Sequence, residues 1–317
     1  MRMSTAVRNC LIALAVMICL WPLSAHSRTW HVRNDGTGDA PTIQAAIDSA
    51  AAGDTITLAK GIFADEPIIW CTDKNNLIIN SEAGPDSTRL APSVGSSYIS
   101  IARCSILSID GISFRDYPDI ALSFWMSSQI TISNCGFFNN GHYYAKAAVL
   151  FEWCNGIDVH GCNISGNNAG INYYEMNSNI LNYNNTLLAN TGSGMYLNDV
   201  THCSIRNSII CGNAYGIIGF GINIGMLCND VFNNGVNYAI MDFPDPTGLG
   251  GNISVDPQFC SIDPVAYNNY HLQSDSPCAP GNHPSGYPCG LMGCEPVGCA
   301  TTGSEKTNWS TVKQLFK

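Results

Sequence analysis

The chain has 317 residues, is 45% hydrophobic and only 12% charged, and carries a formal net charge of −10. There is enough apolar material for a large core, and the acidic balance is the wrong sign for a general nucleic-acid binder, because phosphates would be repelled. Polyanionic sugars would be repelled too, unless local basic groups or Ca²⁺ intervene.

Residues 1–27 read as a secretory signal. Arg2 and Arg8 form a positive start, Cys10 to Leu20 is an apolar run too short to cross a bilayer, and Ala25-His26-Ser27 offers a cleavage site after Ser27. Cys19 lacks the small preceding residue of a lipoprotein signal. No other long apolar run exists. The expectation is a mature protein with no membrane span, secreted or at the cell surface. Of the fifteen cysteines, thirteen follow this segment, an odd number, and no CxxC pair argues for a zinc ribbon.

Residues 28–60 form an N-terminal segment. Trp30 to Val32 reads as a strand, and residues 34–39 as a turn cluster. Pro41 to Ala52 reads as a short amphipathic helix, with Ile43, Ala46, Ile47 and Ala50 on one face, Pro41 in its first turn and Gly53 as its C-terminal cap. Asp54 to Leu58 reads as a strand.

Residues 61–260 repeat. Coils start at Leu107, Ile130, Ile157, Ile180, Cys203 and Ile224, each with a short alternating run. From the second coil on, an asparagine follows at a fixed offset: Asn140, Asn167, Asn190, Asn213 and Asn234. A Gly-led apolar segment comes next, as at Gly170-Ile171, Gly194-Met195 and Gly216-Ile217. A period near 23 residues with strand-like alternation and no helical period means a solenoid of β-coils. The asparagine column suits a turn position, since Asn tolerates left-handed backbone angles and its amide can bond the coils above and below. Cys135 and Cys162 share one position of neighbouring coils, which fits a buried cysteine ladder better than a disulfide. A solenoid must cover its open end, and the helix is the obvious cap. The fold expected is an all-β, single-stranded right-handed parallel β-helix with three strands per coil and a short N-terminal helical cap.

Asp35-Gly-Thr-Gly-Asp-Ala-Pro-Thr-Ile-Gln-Ala-Ala-Ile-Asp-Ser-Ala-Ala-Ala-Gly-Asp-Thr-Ile56 resembles the N-terminal cap and first strand of the pectin-lyase-like superfamily of right-handed parallel β-helix proteins. Repeats such as Ile130-Thr-Ile-Ser-Asn-Cys-Gly-Phe-Phe-Asn-Asn140 agree with it, over about residues 30–260. The resemblance implies the fold and leaves activity open, because the superfamily holds lyases, hydrolases, esterases and non-catalytic proteins. The motifs of its pectin methylesterases and polygalacturonases are absent. Arg115-Asp-Tyr-Pro118 keeps only half of the pectate-lyase Arg-x-Pro-x-x-Arg motif.

Residues 261–300 are rich in Cys, Pro and Gly, and Asp256-Pro-Gln-Phe259 with Tyr270 to Gly281 is similar to the closing segment of secreted bacterial β-helix proteins. Disulfides are expected there, among Cys278, Cys289, Cys294 and Cys299. Residues 301–317 read as a linker and a short basic tail, either a sorting signal or a frayed end.

Two outward files carry candidate chemistry. Asp110, Ser133, His160, Tyr183 and Arg206 hold one strand position in consecutive coils, with Asp158 beside His160. That is the inventory of uronide β-elimination: His160 or Tyr183 as base or acid, and Arg206 as the group that neutralises the carboxylate. An ordinary mixed polar surface would look the same. On the Gly-led strand, Glu152, Tyr174, Tyr196 and Asn198 form a second file, with Glu175 and Asp199 nearby. Tyrosines beside acids suit a sugar, and Glu152, Glu175 and Asp199 could hold Ca²⁺. Lys146 closes an insertion that starts at His142 and could line the same groove. With Asp110, Asp158, Lys146, Tyr174 and Tyr196 as binding residues, the expected partner is a polysaccharide or cell-surface glycan met by a monomer. The leading reading is a carbohydrate-binding surface protein; the alternative is a pectate-lyase-like polysaccharide lyase acting on acidic glycans.

Overall fold

The computed structural model describes residues 27–64, 66, 68–92, 97–141, 146–261 and 270–299. Residues 1–26, where the sequence reads as a signal, residues 142–145 of the insertion and the residues from 300 on lie outside the described residues.

The chain winds into a right-handed parallel β-helix with three strands per coil and one short helix. In one coil, Ser105–Asp110 is followed by Ser113–Arg115 and then Leu122–Trp125, before the next coil opens with Ser128–Ser133. Each strand pairs in parallel with its counterparts in the neighbouring coils, so three ladders run the length of the molecule; below they are called the first, second and third faces. Late in the helix the third strand runs through its corner into the next first strand, as Ser193–Arg206, and this merges two of the ladders into one sheet. The coil starts read from the sequence pair as expected, Leu107 to Ile130 to Ile157 to Ile180 to Cys203 to Ile224.

Like stacks on like inside. Phe124, Phe151 and Tyr173 form one ring stack, with centroids 4.9 and 5.2 Å apart, and Phe114 lies on Phe137 at 4.8 Å. The Gly-led third strands have a steric cause. A Cβ on Gly170 would lie 2.3 Å from the Gly194 carbonyl oxygen, and one on Gly216 would lie 2.4 Å from that of Asn237, so the backbones meet where only glycine fits.

The asparagine column is a buried ladder. The Asn167 side-chain oxygen accepts both the backbone N–H and the Nδ2 of Asn140, each at 2.9 Å, while Asn167 Nδ2 donates to the Phe137 carbonyl at 3.0 Å. Asn190, Asn213 and Asn234 repeat the pattern. The left-handed angle does not belong to these asparagines. It belongs to the residue just before each: Asn139, Gly166, Ala189, Gly212 and Asn233. That residue turns the corner, and the asparagine then points inward.

The other two corners follow the same plan with smaller groups. Cys135, Cys154 and Cys162 each point a thiol at the carbonyl two residues earlier, as the Ser127 and Ser208 hydroxyls do. Asn185 and Asn229 share the Cys135–Cys162 column, and Asn185 Oδ1 accepts the Cys162 N–H at 2.9 Å. All nine free cysteines among the described residues are buried except the half-buried Cys294. The ladder reading of Cys135 and Cys162 therefore holds.

The helix is Ile43–Ser49, shorter than the sequence pattern predicts. Thr42 caps it through its side-chain oxygen, so Pro41 lies outside, and the chain leaves helical angles at Ala50, before Gly53. Ile43, Ala46 and Ile47 bury their side chains against the first coils. The strand Thr29–Val32 pairs with Thr55–Leu58 and is itself the first rung. Asp54 holds this start together by accepting from Arg28 N–H, Trp30 Nε1 and Ala51 N–H.

The closing segment does not sit on top of the last coil. It lies along the outside of the second face, where Phe259, Tyr270, Leu272, Cys278 and Met292 bury Leu188, Ile209 and Cys211. Two disulfides fix it, Cys228–Cys289 and Cys260–Cys299. Cys289 and Cys299 are thus bonded as expected, but to cysteines outside the terminal cluster, and Cys278 and Cys294 stay free. Under this cover Asp230 is fully buried; it accepts from Val255 N–H at 3.1 Å and from the Cys278 thiol at 3.2 Å. Burial pushes its carboxyl up to about 7, with Asp256 adding repulsion against the two hydrogen bonds.

Two stability tests follow from these buried groups. Asn190→Ala strips acceptors from Asn167 and a donor from the Ile164 carbonyl, at a cost of about 3–5 kcal/mol in urea unfolding. Removing the outward-facing Asn198 amide should cost less than about 0.5 kcal/mol. For Asp230 the folded form binds the proton more tightly than the unfolded chain. Its contribution is therefore present below the ordinary carboxylate value of 3.8 and lost as pH rises through about 7. Between pH 5 and 8.5 the wild type should lose about 2–3 kcal/mol more stability than Asp230→Asn. Equal losses in the two proteins would mean that Asp230 is ionised throughout that range.

Candidate functional site

The first face aligns Asp110, Ser133, His160, Tyr183 and Arg206 in consecutive coils. The residues stand outward because they alternate with the buried Ile109, Ile132, Val159, Asn182 and Ile205. His160 Nδ1 lies 2.8 Å from Asp158 Oδ1, and the His160 ring stacks on Tyr183 at 4.6 Å and 7°. Arg206 follows in the next coil and donates to Ser204 Oγ at 3.2 Å. Burial and the nearby Asp158 carboxylate raise the Tyr183 phenol above its usual value, against the pull of Arg206. Asp110 is at the far end of the file, where Ser133 Oγ at 2.6 Å and Asn134 Nδ2 at 2.8 Å occupy its carboxylate. Beside the file runs the closing segment: Asn184 Nδ2 donates to the Leu291 carbonyl at 2.7 Å, and Gly293 N–H donates to the Asn207 carbonyl at 2.8 Å.

The cluster brings proton-exchanging groups together. In the neutral tautomer that gives Nδ1–H to Asp158, Nε2 carries the lone pair. A protonated phenol and a guanidinium stand on the next two rungs, about 4.8 Å apart.

The third face holds the second group. Trp125, Glu152, Tyr174 and Asn198 occupy one file in successive coils. Tyr196 is not in it: it pairs with Asn172, one outward position earlier, so the expected single file is two neighbouring files. Trp153, Glu175 and Asp199 follow at the adjoining corner, all with left-handed angles that swing them out of the strand line. Trp125, Trp153 and Tyr174 are 40%, 44% and 40% exposed, so flat aromatic faces flank the half-buried Glu152. Burial and the like charge of Glu175 raise the Glu152 carboxyl above its usual range. Trp125 and Trp153 escaped the sequence reading, which began this file one coil late. Extending the coil alignment back one step would have put Trp125 over Glu152.

Lys146 belongs to neither group: its ammonium lies 3.0 Å from Asp119. Glu152, Glu175 and Asp199 do not converge, and among the described residues no three His, Cys, Asp or Glu side chains gather into a group that could hold a metal ion.

A family model described as periplasmic copper-binding protein (NosD) matches residues 69–241, more than half of the chain. The chain belongs to the NosD family. No curated protein matches it significantly. Among solved structures it is similar to the pectate lyase Pel9A, at 14% identity and a TM-score of 0.49, over 66% of this chain and 64% of that one. It is also similar to a mannuronic acid specific polysaccharide family 6 lyase from human gut microbiota, at 9% identity and a TM-score of 0.36, over 67% and 51% of the two chains. The PL6 family alginate lyase AlyGC aligns at 13% identity and a TM-score of 0.27, over 78% and 44%. The chain thus spans less than two thirds of each of these lyases, and at such scores the likeness carries no statement about activity. Copper takes clustered thiolate or imidazole donors. The described histidines of this NosD chain are dispersed instead, His31 on the strand Thr29–Val32, His160 on Asp158, His202 beside Asn223, His271 beside Glu295 and His283 on the Gly251 carbonyl. They do not fit a copper centre.

Proposed function

We propose that the protein is an exported glycan-binding β-helix protein whose third face is the binding surface. The observation that carries this reading is the file Trp125–Glu152–Tyr174, with Trp153 at its corner. Rungs about 4.8 Å apart put the two aromatic rings about 9.6 Å from each other, close to the length of two linked sugar rings. Pyranose faces stack on such rings, and a carboxylate between them accepts from hydroxyls. Export is supported by the signal-like residues 1–27 and by two disulfides, which persist in oxidising compartments.

A second reading, a lyase acting on acidic glycans, has one specific observation in its favour. His160 is held by Asp158 and stacked on Tyr183, and Arg206 stands on the rung beyond Tyr183. His160 Nε2 would take the C5 proton of a uronide, Arg206 would neutralise its carboxylate, and the Tyr183 phenol would protonate the leaving oxygen.

Binding to an immobilised glycan array tests the first reading. Trp125→Ala and Tyr174→Ala should each weaken the best ligand about tenfold, the effect of losing a buried aromatic contact. An array on which the wild type binds nothing, or on which both variants match it, removes the third face from function. Ultraviolet absorbance on uronic-acid polysaccharides tests the second. Elimination leaves an unsaturated, absorbing product, and His160→Ala and Tyr183→Phe should each abolish it. A flat trace for the wild type across the panel ends the lyase reading and leaves glycan binding standing.

A further inference from the structure

A stacked-coil protein opens from its ends, because a terminal coil has a neighbour on one side only. At the C-terminal end this chain carries two covalent staples, Cys228–Cys289 and Cys260–Cys299. At the N-terminal end the helix is held by polar contacts. The Glu66 carboxylate accepts the Ile43 and Gln44 N–H groups at 2.6 and 2.9 Å, and the Gln44 amide bonds both the N–H and the carbonyl of Trp70. Lys74 Nζ donates to the Ala50 carbonyl at 2.9 Å, at the other end of the helix. The coil segment that receives these contacts is Ile68–Thr72 with its corner, and it contains Cys71.

Cys71 Sγ lies 3.7 Å from Cys104 Sγ, in the same buried core. The two thiols come from neighbouring coils, since Ile68–Thr72 pairs with Tyr98–Ala102 and Cys104 follows at the next corner. We propose that Cys71 and Cys104 form a third disulfide when the protein matures in an oxidising compartment, and that this bond locks the helix-bearing coil to the one after it. The sulfurs are already in van der Waals contact, and the bond would bring them to about 2 Å.

The oxidant is a small or protein disulfide, such as oxidised glutathione. The thiolate of one cysteine of the pair attacks one of its sulfurs, forms a mixed disulfide and expels one thiolate. The other cysteine gives its proton to solvent, attacks the first cysteine's Sγ and expels the second. Two electrons pass to the oxidant, which leaves as two thiols once protonated. The exchange takes place while the end coil is open, because both sulfurs are buried once the helix closes over them. The proposal is independent of the glycan reading.

The experiment is thiol mapping of the full chain, refolded from the reduced state in glutathione redox buffer, unfolded in alkylating reagent and digested without reduction. The two C-terminal disulfides report that oxidation took place, and the buried free thiols Cys154 and Cys203 report that it was selective. The expected result is a Cys71–Cys104 linked peptide with Cys154 and Cys203 fully alkylated. Amide exchange in the helix Ile43–Ser49 should then be several-fold slower than in Cys71→Ser, with the C-terminal coils unchanged. Complete alkylation of Cys71 and Cys104 in protein whose C-terminal disulfides have formed would overturn the proposal. So would a linked peptide that joins either residue to a ladder cysteine.

Discussion

Each asparagine amide in the corner column Asn140, Asn167, Asn190 and Asn213 bonds the coil before it and the coil after it, and the rest of the architecture depends on that requirement. Asn190 accepts from Asn167 through one oxygen and donates to the Ile164 carbonyl and to Asn213 Oδ1. A corner buried in a core cannot leave such groups unpaired without a penalty of about 1–3 kcal/mol each. The ladder is satisfied only if every coil has the same rise and presents its asparagine at the same place. That fixes register along the axis more strictly than aliphatic packing, which tolerates sliding. It also explains how coils can differ in length: the longer coil before Asn167 takes its extra residues after Asn140, outside the ladder, and the Asn140–Asn167 bonds remain.

Register fixed in this way makes the outer faces meaningful. A residue's neighbours on the surface are the residues one coil away, as His160 is to Tyr183 and Glu152 to Tyr174. Chemistry is therefore assembled across coils and not along a strand, and no local motif need mark it. This is the physical reason why the sequence showed the His160–Tyr183–Arg206 file but could not show that Asp158 turns to hydrogen-bond His160. The first is a matter of counting and the second of side-chain rotation.

Much of the fold was legible for the same reason. The apolar starts, the asparagine column and the Gly-led strands are periodic, and a period survives in sequence. What was missed is aperiodic. The left-handed residue at the asparagine corner is Asn, Gly or Ala in turn, so its identity hides its role. Tyr196 was put in line with Tyr174 although a strand's pleat places them in different files. The closing segment has no repeat, and nothing in its residues announced that it would cover Leu188 and Cys211 from outside or draw Cys228 and Cys260 into disulfides.

The two outer groups differ in the ligands they can accept. On the third face the ionisable groups beside the aromatics are carboxylates, Glu152, Glu175 and Asp199, and the first of these is already held up by burial and by its neighbour's charge. A uronate laid there would add like charge to a chain with net charge −10, so the surface favours a neutral or amino-bearing sugar. The first face has Arg206 beside Tyr183, one rung beyond His160's neighbour, and it is the place where a sugar carboxylate would find a cation. A polyanionic glycan would select the first face and a neutral one the third. Ligand charge therefore discriminates between the two sites more directly than fold does, because the same coils support both.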